Sequence, residues 1–237
     1  MAQITVELDN DARIISEVYN CDCLEYMKSI NDKYFDLCIA DPPYGIGMDN
    51  PKRYFCKNPK HNRKYHTQKN WDKIPSKSVF TEMHRVSNKL IIWGANYFIE
   101  HLNEAHKGWI CWYKGQQGLN MSDCELAYSN FDSPTRVVTI NRCVLAKEGT
   151  IHPTQKPIEL YAWILNNYAK EGYKIFDPFL GSGSSRIAAY KKGFDFYGCE
   201  LDKDYYNAQE ERFRRECFGE FNMTNGVTIK QTALFEL

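Results

Sequence analysis

Residues 174–186 read KIFDPFLGSGSSR, and this segment indicates the architecture of the whole chain. A short apolar run ends at Asp177, Gly181 and Gly183 follow, and a serine-rich stretch opens a helical pattern. Glycines let the backbone approach a ligand closely, and the first turn of a helix presents free N–H groups. The segment therefore predicts a strand, a tight turn and a helix that together cradle a ligand.

A second predicted strand follows that helix and ends in GCELD, residues 198–202. Glu200 lies 17 residues after Gly183 in the sequence. In dinucleotide-binding folds an acidic residue about 20 residues after the glycine turn binds the ribose hydroxyls. The pattern G-x-G-x-x-R at 181–186 departs from G-x-G-x-x-G, which makes a nicotinamide dinucleotide less favoured. A nucleoside-bearing ligand is favoured, and a tight turn without a ligand is the alternative.

Further apolar runs alternate with helical patterns along the rest of the chain. Strands are predicted at 35–43, 89–95, 108–114, 136–140, 174–179 and 195–201, and helices at 23–30, 76–87, 157–170, 184–192 and 203–217. Continuous apolar strands between helices are typical of a parallel sheet that is covered on both faces. We therefore expect an α/β fold with a doubly wound, mostly parallel sheet.

Length and composition bound the class of protein. The chain has 237 residues, of which 43% are hydrophobic and 25% charged, as in an ordinary globular domain. We expect one domain, no membrane span and no secretory signal. Nine dispersed cysteines without paired C-x-x-C motifs favour a reducing cytoplasm over a disulfide framework. Cys56, His61 and His66 fit no strong zinc template, so no metal is expected.

The formal net charge is zero, but the charge is unevenly distributed. Residues 1–48 hold nine acidic and three basic side chains, a net charge of −6, whereas residues 49–78 hold nine basic and two acidic ones, a net charge of +7. Four aromatic residues lie among those bases. Bases interleaved with aromatic rings suit a nucleic acid, although a solvated loop is the alternative. The seven candidate contacts are Lys52, Arg53, Lys57, Lys60, Arg63, Lys64 and Lys69.

The strand predicted at 35–43 ends in Asp41-Pro42-Pro43-Tyr44. The two prolines stiffen the turn and remove two backbone donors, which leaves carbonyl groups free to accept hydrogen bonds. The carboxylate of Asp41 and the carbonyl of Pro42 then form a rigid pair of acceptors beside the aromatic ring of Tyr44. This arrangement suits a planar group that bears an NH2.

Four motifs together resemble one enzyme family. They are DPPYG at 41–45, HPTQKP at 152–157, FDPFLGSGS at 176–184 and GCELD at 198–202. In this order they resemble the S-adenosylmethionine-dependent, adenine-specific DNA methyltransferases of the permuted beta class, in which the catalytic half precedes the cofactor half. The resemblance covers most of residues 15–215 and implies a Rossmann-like methyltransferase fold with a seven-stranded sheet.

The resemblance also implies roles for individual residues. Asp41, Pro42 and Tyr44 would hold a flipped base, with Pro43 stiffening their turn. The cofactor site would comprise Asp22, Cys23, Thr154, Lys156, Asp177, Phe179, Gly181, Gly183, Ser184 and Glu200. Within it, Glu200 would accept from the ribose hydroxyls, Asp22 and Cys23 would address the adenine, and Asp177, Thr154 and Lys156 would meet the methionine end.

The same resemblance divides the chain into functional parts. Residues 15–48 and 79–145 would form the catalytic half, 49–78 a basic insertion that contacts double-stranded DNA, 150–217 the cofactor half and 218–237 a tail. In the tail, Gln231, Leu234 and Phe235 resemble the peptide that bacterial proteins insert into the replication sliding clamp. The small size of the chain leaves help from a second subunit open.

Three alternatives stay open at this stage. An initial Asp in the motif favours adenine N6, but cytosine N4 needs the same two acceptors. A methyltransferase of RNA or of a protein amide acts on a similar planar NH2 group of its substrate. Such enzymes more often have Asn at the position of Asp41. The sequence leaves the setting, such as a restriction-modification system or a phage, undecided.

Overall fold

The computed structural model describes residues 2–7, 13–50, 69–102, 106–118, 122–222 and 228–230. Its main sheet has nine strands: β1 Ala2–Glu7, β2 Arg13–Tyr19, β3 Phe35–Ala40, β4 Ser87–Trp93, β5 Trp109–Tyr113, β6 Cys124–Ser129, β7 Arg136–Thr139, β8 Lys174–Asp177 and β9 Asp195–Cys199. Two further strands, β10 Glu220–Asn222 and β11 Thr228–Lys230, pair with each other. The helices are α1 Cys23–Lys28, α2 Lys77–Val86, α3 Val144–Glu148, α4 Ile158–Tyr168, α5 Ser184–Lys191 and α6 Lys203–Phe218.

The strand order confirms the doubly wound fold. It runs β1-β2-β9-β8-β3-β4-β6-β5-β7, and the five strands from β2 to β4 in that order are parallel. β6 lies antiparallel between β4 and β5. The stretch from β2 to β5 therefore has the seven strands that the resemblance implies, and β1 and β7 add one strand at each edge.

The central pair β8 and β3 marks the point where the chain changes direction across the sheet. β3 leads through α2 to β4 on one side, whereas β8 leads through α5 to β9 on the other. Ligands of open α/β sheets bind at such a switch point, outside the carboxyl ends of the strands. Asp41 follows β3 and the glycine turn follows β8, so both predicted motifs lie there.

Hydrophobic side chains cover both faces of the sheet because successive strand residues point to opposite sides. On one face, Ile39 and Trp93 pack with residues of α4 and α5. On the other, Ala40 and Ile92 pack with residues of α1 and α2. The two cores hold the carboxyl ends of the strands in place.

The strands predicted from sequence correspond to β3, β4, β5, β7, β8 and β9. The prediction omitted β1, β2 and β6 of the main sheet and the separate pair β10 and β11. In β2, buried Ile14, Ser16 and Val18 alternate with partly exposed residues, and the serine interrupts the apolar pattern. β6 lies between two predicted strands, in a stretch for which no element was predicted. Among the described residues, no helix combines the length and apolar character needed to cross a bilayer.

Candidate active site

A cavity of about 350 Å³ opens at the carboxyl ends of the central strands. The turn from Asp41 to Tyr44 forms one part of its wall, and the turn from Pro178 to Ser182 forms another. Seven of the ten predicted cofactor residues line it: Asp22, Cys23, Thr154, Lys156, Phe179, Gly181 and Glu200. The volume lies in the range of small-molecule sites. The structure thus brings the sequence motifs together at one site.

Two carboxylates hold the glycine turn after β8. Asp177 accepts a hydrogen bond from the backbone N–H of Phe179 at 2.9 Å and from the hydroxyl of Ser185 at 2.5 Å. Glu200 accepts from the backbone N–H of Gly181 at 2.8 Å. The backbone of Gly181 has φ +52°, the left-handed region that glycine adopts readily. The sharp turn is therefore fixed by side chains from β8 and from the end of β9.

Three predicted cofactor residues lie behind this turn and do not line the cavity: Asp177, Gly183 and Ser184. Asp177 is 1% exposed, and its carboxylate is taken up by the turn itself. Gly183 precedes α5, where a Cβ atom would lie 3.0 Å from Oε1 of Gln209. The hydroxyl of Ser184 accepts from Arg212 at 2.8 Å. All three thus support the turn, and their contact with a cofactor stays a prediction.

Burial perturbs both carboxylates of this turn. Burial raises the pKa of Asp177 to about 7, although hydrogen bonds from Ser185 and a backbone N–H oppose the shift. Burial likewise raises the pKa of Glu200 to about 7 against the backbone N–H groups of Asp202 and Gly181. Both groups therefore change charge near neutral pH, and Glu200 does so at the cavity wall.

Asp22 and Cys23 lie at the start of α1. The carboxylate of Asp22 caps this helix by accepting from the backbone N–H groups of Leu24 at 2.8 Å and Glu25 at 3.2 Å. Burial raises the pKa of the Cys23 thiol to about 12, so this group is neutral. Both residues line the same cavity as Glu200, and their contact with an adenine stays a prediction.

Both carboxylate oxygens of Asp41 have partners. The hydroxyl of Tyr44 donates to Oδ1 at 2.7 Å, and Nζ of Lys156 lies 2.5 Å from Oδ2. The same ammonium donates to the hydroxyl of Tyr44 at 3.1 Å. The Lys156 side chain is 3% exposed. Three predicted site residues from two distant motifs therefore form one hydrogen-bonded group.

The aromatic ring of Tyr44 is packed by the segment after β4. It stacks on Tyr97 with ring centroids 5.0 Å apart and an interplanar angle of 18°. Its edge contacts Phe98, and Gly94 lies against it. Tyr97 is 41% exposed, so it is the outer ring of the stack. Stacking of Tyr44 on a base stays a prediction, since Tyr97 already covers part of this ring.

Two charged residues that sequence reasoning missed extend the group around Asp41. Glu125 on β6 lies 3.1 Å from Nζ of Lys156 through Oε2, and 2.6 Å from Nζ of Lys114 through Oε1. These side chains are at most 23% exposed. Asp41, Lys156, Glu125 and Lys114 thus form a row in which negative and positive charges alternate, called the charge row below.

The charge row determines the ionisation of its members. Burial raises the pKa of Asp41 above its ordinary value, although Lys156 opposes this. Burial alone would raise the pKa of Glu125 too, but the ammonium groups of Lys156 and Lys114 outweigh it and lower that pKa to about 2. Burial disfavours the charged form of Lys156, yet Asp41 and Glu125 together keep its pKa raised. Lys156 and Glu125 are therefore charged at neutral pH.

The HPTQKP segment lines the cavity with side chains that have partners within the protein. The Thr154 hydroxyl forms a hydrogen bond with Nδ1 of His152 at 3.1 Å. Lys156 was expected to meet a ligand carboxylate, but its ammonium is shared by Asp41 and Glu125. Contact of either side chain with a cofactor stays a prediction.

Lys69 and Asp72, near the end of the basic segment, bind to both halves of the site. Asp72 accepts from the backbone N–H groups of Gly45 at 2.8 Å and Met48 at 2.6 Å. Nζ of Lys69 lies 2.6 Å from both carboxylate oxygens of Asp202 and 2.8 Å from Asp204. Lys69 was expected to contact DNA, but in the structure its charge is paired at the start of α6.

The other predicted DNA contacts, Lys52, Arg53, Lys57, Lys60, Arg63 and Lys64, lie outside the described residues, as do Gln231, Leu234 and Phe235 of the tail. Three aromatic side chains at the site were given no role there by the sequence motifs. Trp71 packs on His152 with centroids 5.0 Å apart, and His152 packs on Tyr205 at 4.3 Å. His152 opens the HPTQKP motif, but the contacts among the three rings arise only through the fold.

Solved structures share this fold. M1.HpyAVI, in a complex with SAM, superposes with a TM-score of 0.56 at 19% identity, covering 83% of this chain and 98% of that chain. A putative DNA modification methylase from Thermus thermophilus, complexed with S-adenosyl-L-methionine, gives 0.55 at 18% identity, covering 84% and 93%. The cytosine-N4-specific PvuII DNA methyltransferase gives 0.53 at 14% identity, covering 83% and 86%.

Curated relatives match over a shorter stretch. The type II methyltransferase M2.DpnII of Streptococcus pneumoniae is 40% identical over 65 residues, which is 27% of this chain and 24% of that protein. The putative methylase YubD of Escherichia coli K12 is 34% identical over 61 residues, 26% of this chain and 27% of that protein. The match thus spans about a quarter of the length of these relatives.

A family model covers more of the chain. The model of the N6_N4_Mtase family, described as DNA methylase, matches residues 90–211, a little over half of the chain. The match runs from β4 through the glycine turn to α6, and it confirms the family resemblance drawn from the sequence motifs. This chain belongs to the N6_N4_Mtase family of DNA methylases.

Proposed function

We propose that this chain is a DNA methyltransferase that moves a methyl group from S-adenosylmethionine to N6 of an adenine flipped out of duplex DNA. One observation carries the proposal: a single cavity is lined by the Asp41 turn, by the glycine turn and by Glu200. The target amine would bind at the Asp41 turn and the methyl donor next to it, at the glycine turn and Glu200. Membership of the DNA methylase family supports the same reaction class.

The cavity fits S-adenosylmethionine by volume and by the groups on its wall. Glu200 offers carboxylate oxygens to ribose hydroxyls, and Asp22 and Cys23, which follow the neighbouring strand β2, line the same cavity. Two structural neighbours are complexes with this compound. When bound, S-adenosylmethionine supplies a methyl group that its sulfonium already activates. The residues of the chain then have to position the amine.

Asp41 and Pro42 perform that positioning. The lone pair of an aromatic NH2 is delocalised into its ring, so the amine is a weak nucleophile. Hydrogen bonds from N6 to the Asp41 carboxylate and the Pro42 carbonyl favour a tetrahedral nitrogen and free the lone pair. Each oxygen of Asp41 keeps a lone pair for this purpose, because Tyr44 and Lys156 occupy one position on each.

The proton balance also involves Asp41. As N6 forms its bond to the methyl carbon, the bond from that carbon to sulfur breaks, and N6 gives up a proton. Burial raises the pKa of Asp41, which makes this carboxylate a better acceptor for that proton than an exposed one. Apart from this proton transfer, the residues of the site act by positioning the amine and by electrostatic stabilisation.

Adenine N6 is proposed over cytosine N4 because the motif begins with Asp41, which the family resemblance associates with adenine. The fold does not distinguish the two, since a cytosine-N4-specific enzyme shares it. Methylated DNA digested to nucleosides and analysed by mass spectrometry distinguishes them. N6-methyladenine supports the assignment, and N4-methylcytosine contradicts it.

The basic segment at 49–78 is proposed to hold the DNA backbone. It begins just after Tyr44, and near its other end Asp72 accepts from the backbone N–H groups of Gly45 and Met48, which brings residue 72 beside the turn at Asp41. Lysine and arginine would mainly position phosphates there, as expected for sequence-independent contacts. This function suits a cytoplasmic protein.

Radiolabelled methyl transfer from S-adenosylmethionine to duplex DNA tests the proposal, with RNA and a protein mixture as parallel substrates. Label in DNA alone supports it. Label in RNA or protein alone favours an RNA or amide methyltransferase, the second candidate, whose substrate would offer the Asp41 turn the same planar NH2.

The tail motif and a second subunit are separate proposals that rest on the sequence. Gln231, Leu234 and Phe235 would anchor the chain to a sliding clamp, which the double change Leu234→Ala and Phe235→Ala tests by clamp affinity. An unchanged affinity contradicts it. A homodimer would supply further DNA surface, and sedimentation at several concentrations tests it.

A further inference from the structure

Glu125 holds Lys156 from the side opposite Asp41. Nζ of Lys156 lies 2.5 Å from Asp41 Oδ2 and 3.1 Å from Glu125 Oε2, and its side chain is 3% exposed. The other oxygen of Glu125 is bound to Lys114 at 2.6 Å. The ammonium of Lys156 is thus shared between two carboxylates, of which only Asp41 lines the cavity.

Sharing matters because charges interact strongly when they are removed from water. An ammonium bound to Asp41 alone would neutralise it almost fully and would compete with any amine that approaches it. Glu125 draws part of the hydrogen bonding of Lys156 away from Asp41. Lys114 in turn balances Glu125, so the four members of the charge row sum to zero.

We propose that Glu125 is a positioning residue for methyl transfer, which keeps the Asp41 carboxylate able to accept hydrogen bonds from the target amine by dividing the ammonium of Lys156 between them. This inference rests on the proposed function. Glu125 does not line the cavity, so it acts on Asp41 through shared neighbours: mainly Lys156 at 3.1 Å, with the hydroxyl of Tyr44 farther away at 3.4 Å.

The sign of the effect on Asp41 follows from the groups around it. In the described part of the chain they are Lys156 and Tyr44 in contact, with Glu125, Tyr161 and Asp177 farther away. The negative charge of Glu125 raises the pKa of Asp41, whereas Lys156 lowers it. Loss of the Glu125 charge should therefore lower the pKa of Asp41.

The change Glu125→Gln tests the proposal, because it keeps the shape and removes the charge. We expect kcat to fall about tenfold, less than for loss of a group that contacts the reacting atoms. We expect the acid limb of kcat/KM to move to lower pH by about 0.5 unit, while the cofactor Kd stays within about twofold. A lower kcat with an unmoved acid limb would indicate a structural role and overturn the proposal.

Measuring the pKa of Asp41 directly tests this proposal independently of the proposed function, because it requires no catalysis. The Asp41 carboxyl carbon, assigned with Asp41→Asn, is titrated by ¹³C NMR in the ligand-free protein. A lower Asp41 pKa in Glu125→Gln supports the proposal even if no substrate is methylated. An unchanged or higher pKa overturns it whether or not DNA is a substrate.

Two further variants control for instability. Glu125→Gln leaves one excess buried ammonium, and adding Lys114→Met restores neutrality. We expect this double variant to recover thermal stability while the lowered Asp41 pKa persists, because Lys114 contacts Glu125 and not Asp41. Return of the Asp41 pKa to its original value would overturn the proposal. Glu210→Gln, which removes a carboxylate paired with buried Arg186, should leave the pH profile unchanged.

Discussion

Gly94 lies so close to Tyr44 that a Cβ atom at position 94 would be 2.1 Å from Cε1 of the tyrosine ring. No real Cβ contact is that short, so the absence of a side chain at Gly94 allows the ring to take its place. In that place its hydroxyl donates to Asp41 at 2.7 Å. The end of β4 thus constrains the position of Tyr44 in the turn after β3.

Gly94→Ala should therefore displace Tyr44 and break its hydrogen bond to Asp41. We expect methyl transfer to fall at least about tenfold, together with a destabilisation of about 1–3 kcal/mol, because φ at Gly94 is +66° and the contact is overpacked. Radiolabelled transfer and thermal unfolding measure the two effects.

Gly149→Ala is the matched control. Its φ is +73°, but a Cβ atom there would have no neighbour within 4 Å. The backbone strain of an alanine is larger at position 149, where ψ is 142°, than at Gly94, where ψ is 19°, whereas the clash is absent, so methyl transfer should stay near the wild-type rate if the clash is what matters. Equal losses of activity in the two variants would contradict a specific role for the contact between Gly94 and Tyr44.

Asp41→Ala should reduce methyl transfer at least about 100-fold, because the amine loses its acceptor. The cofactor Kd should change less than about twofold, since Glu200 and the glycine turn are untouched. Lys156 keeps Glu125 as a partner, so the fold should survive. Isothermal titration calorimetry with S-adenosylmethionine and circular dichroism separate the effects, and loss of cofactor binding in a folded variant would count against the assignment.

Asp177→Asn should make stability less dependent on pH. Burial raises the pKa of Asp177 to about 7, so folding favours its protonated form. This contribution to stability is fully present below the unfolded pKa, near 4, and is lost as the pH rises through 7, by at most about 1.4 kcal/mol per pH unit. The variant should thus gain stability relative to wild type at pH 8 but not at pH 4.

The local hydrogen bonds make this substitution tolerable. The side-chain oxygen of Asn can accept from the N–H of Phe179, and its NH2 can donate to the hydroxyl of Ser185. Denaturant titrations across this pH range measure the difference in unfolding free energy. A constant difference between variant and wild type at all pH values would contradict the raised pKa.

The motifs at Asp41 and Gly181 could be located from sequence because each follows a strand directly, and carboxyl ends of parallel strands share one edge of a sheet. Each motif can thus be recognised from neighbouring residues in the sequence, even though the other motif of the site is far away along the chain. The fold class and the family followed from these turns and their order, and both are confirmed.

Glu125 and Asp72 could not be found in this way. Glu125 reaches Lys156 only because β6 inserts antiparallel between β4 and β5, and its neighbours in CELAYS carry no pattern that indicates a buried charge. Asp72 meets Gly45 because the chain returns to the catalytic turn after the basic segment. Such contacts depend on the tertiary path of the chain and not on local pattern.

Lys69 provides a last prediction, because it belongs to the basic segment by sequence but is paired with Asp202 in the structure. A lysine that neutralises a DNA phosphate contributes about one unit to the slope of log affinity against log salt. Lys57→Gln should reduce the magnitude of this slope by about one, whereas Lys69→Gln should leave it unchanged. Fluorescence anisotropy with a labelled duplex at several salt concentrations measures both slopes. An equal decrease in the two variants would show that Lys69 leaves Asp202 to bind DNA.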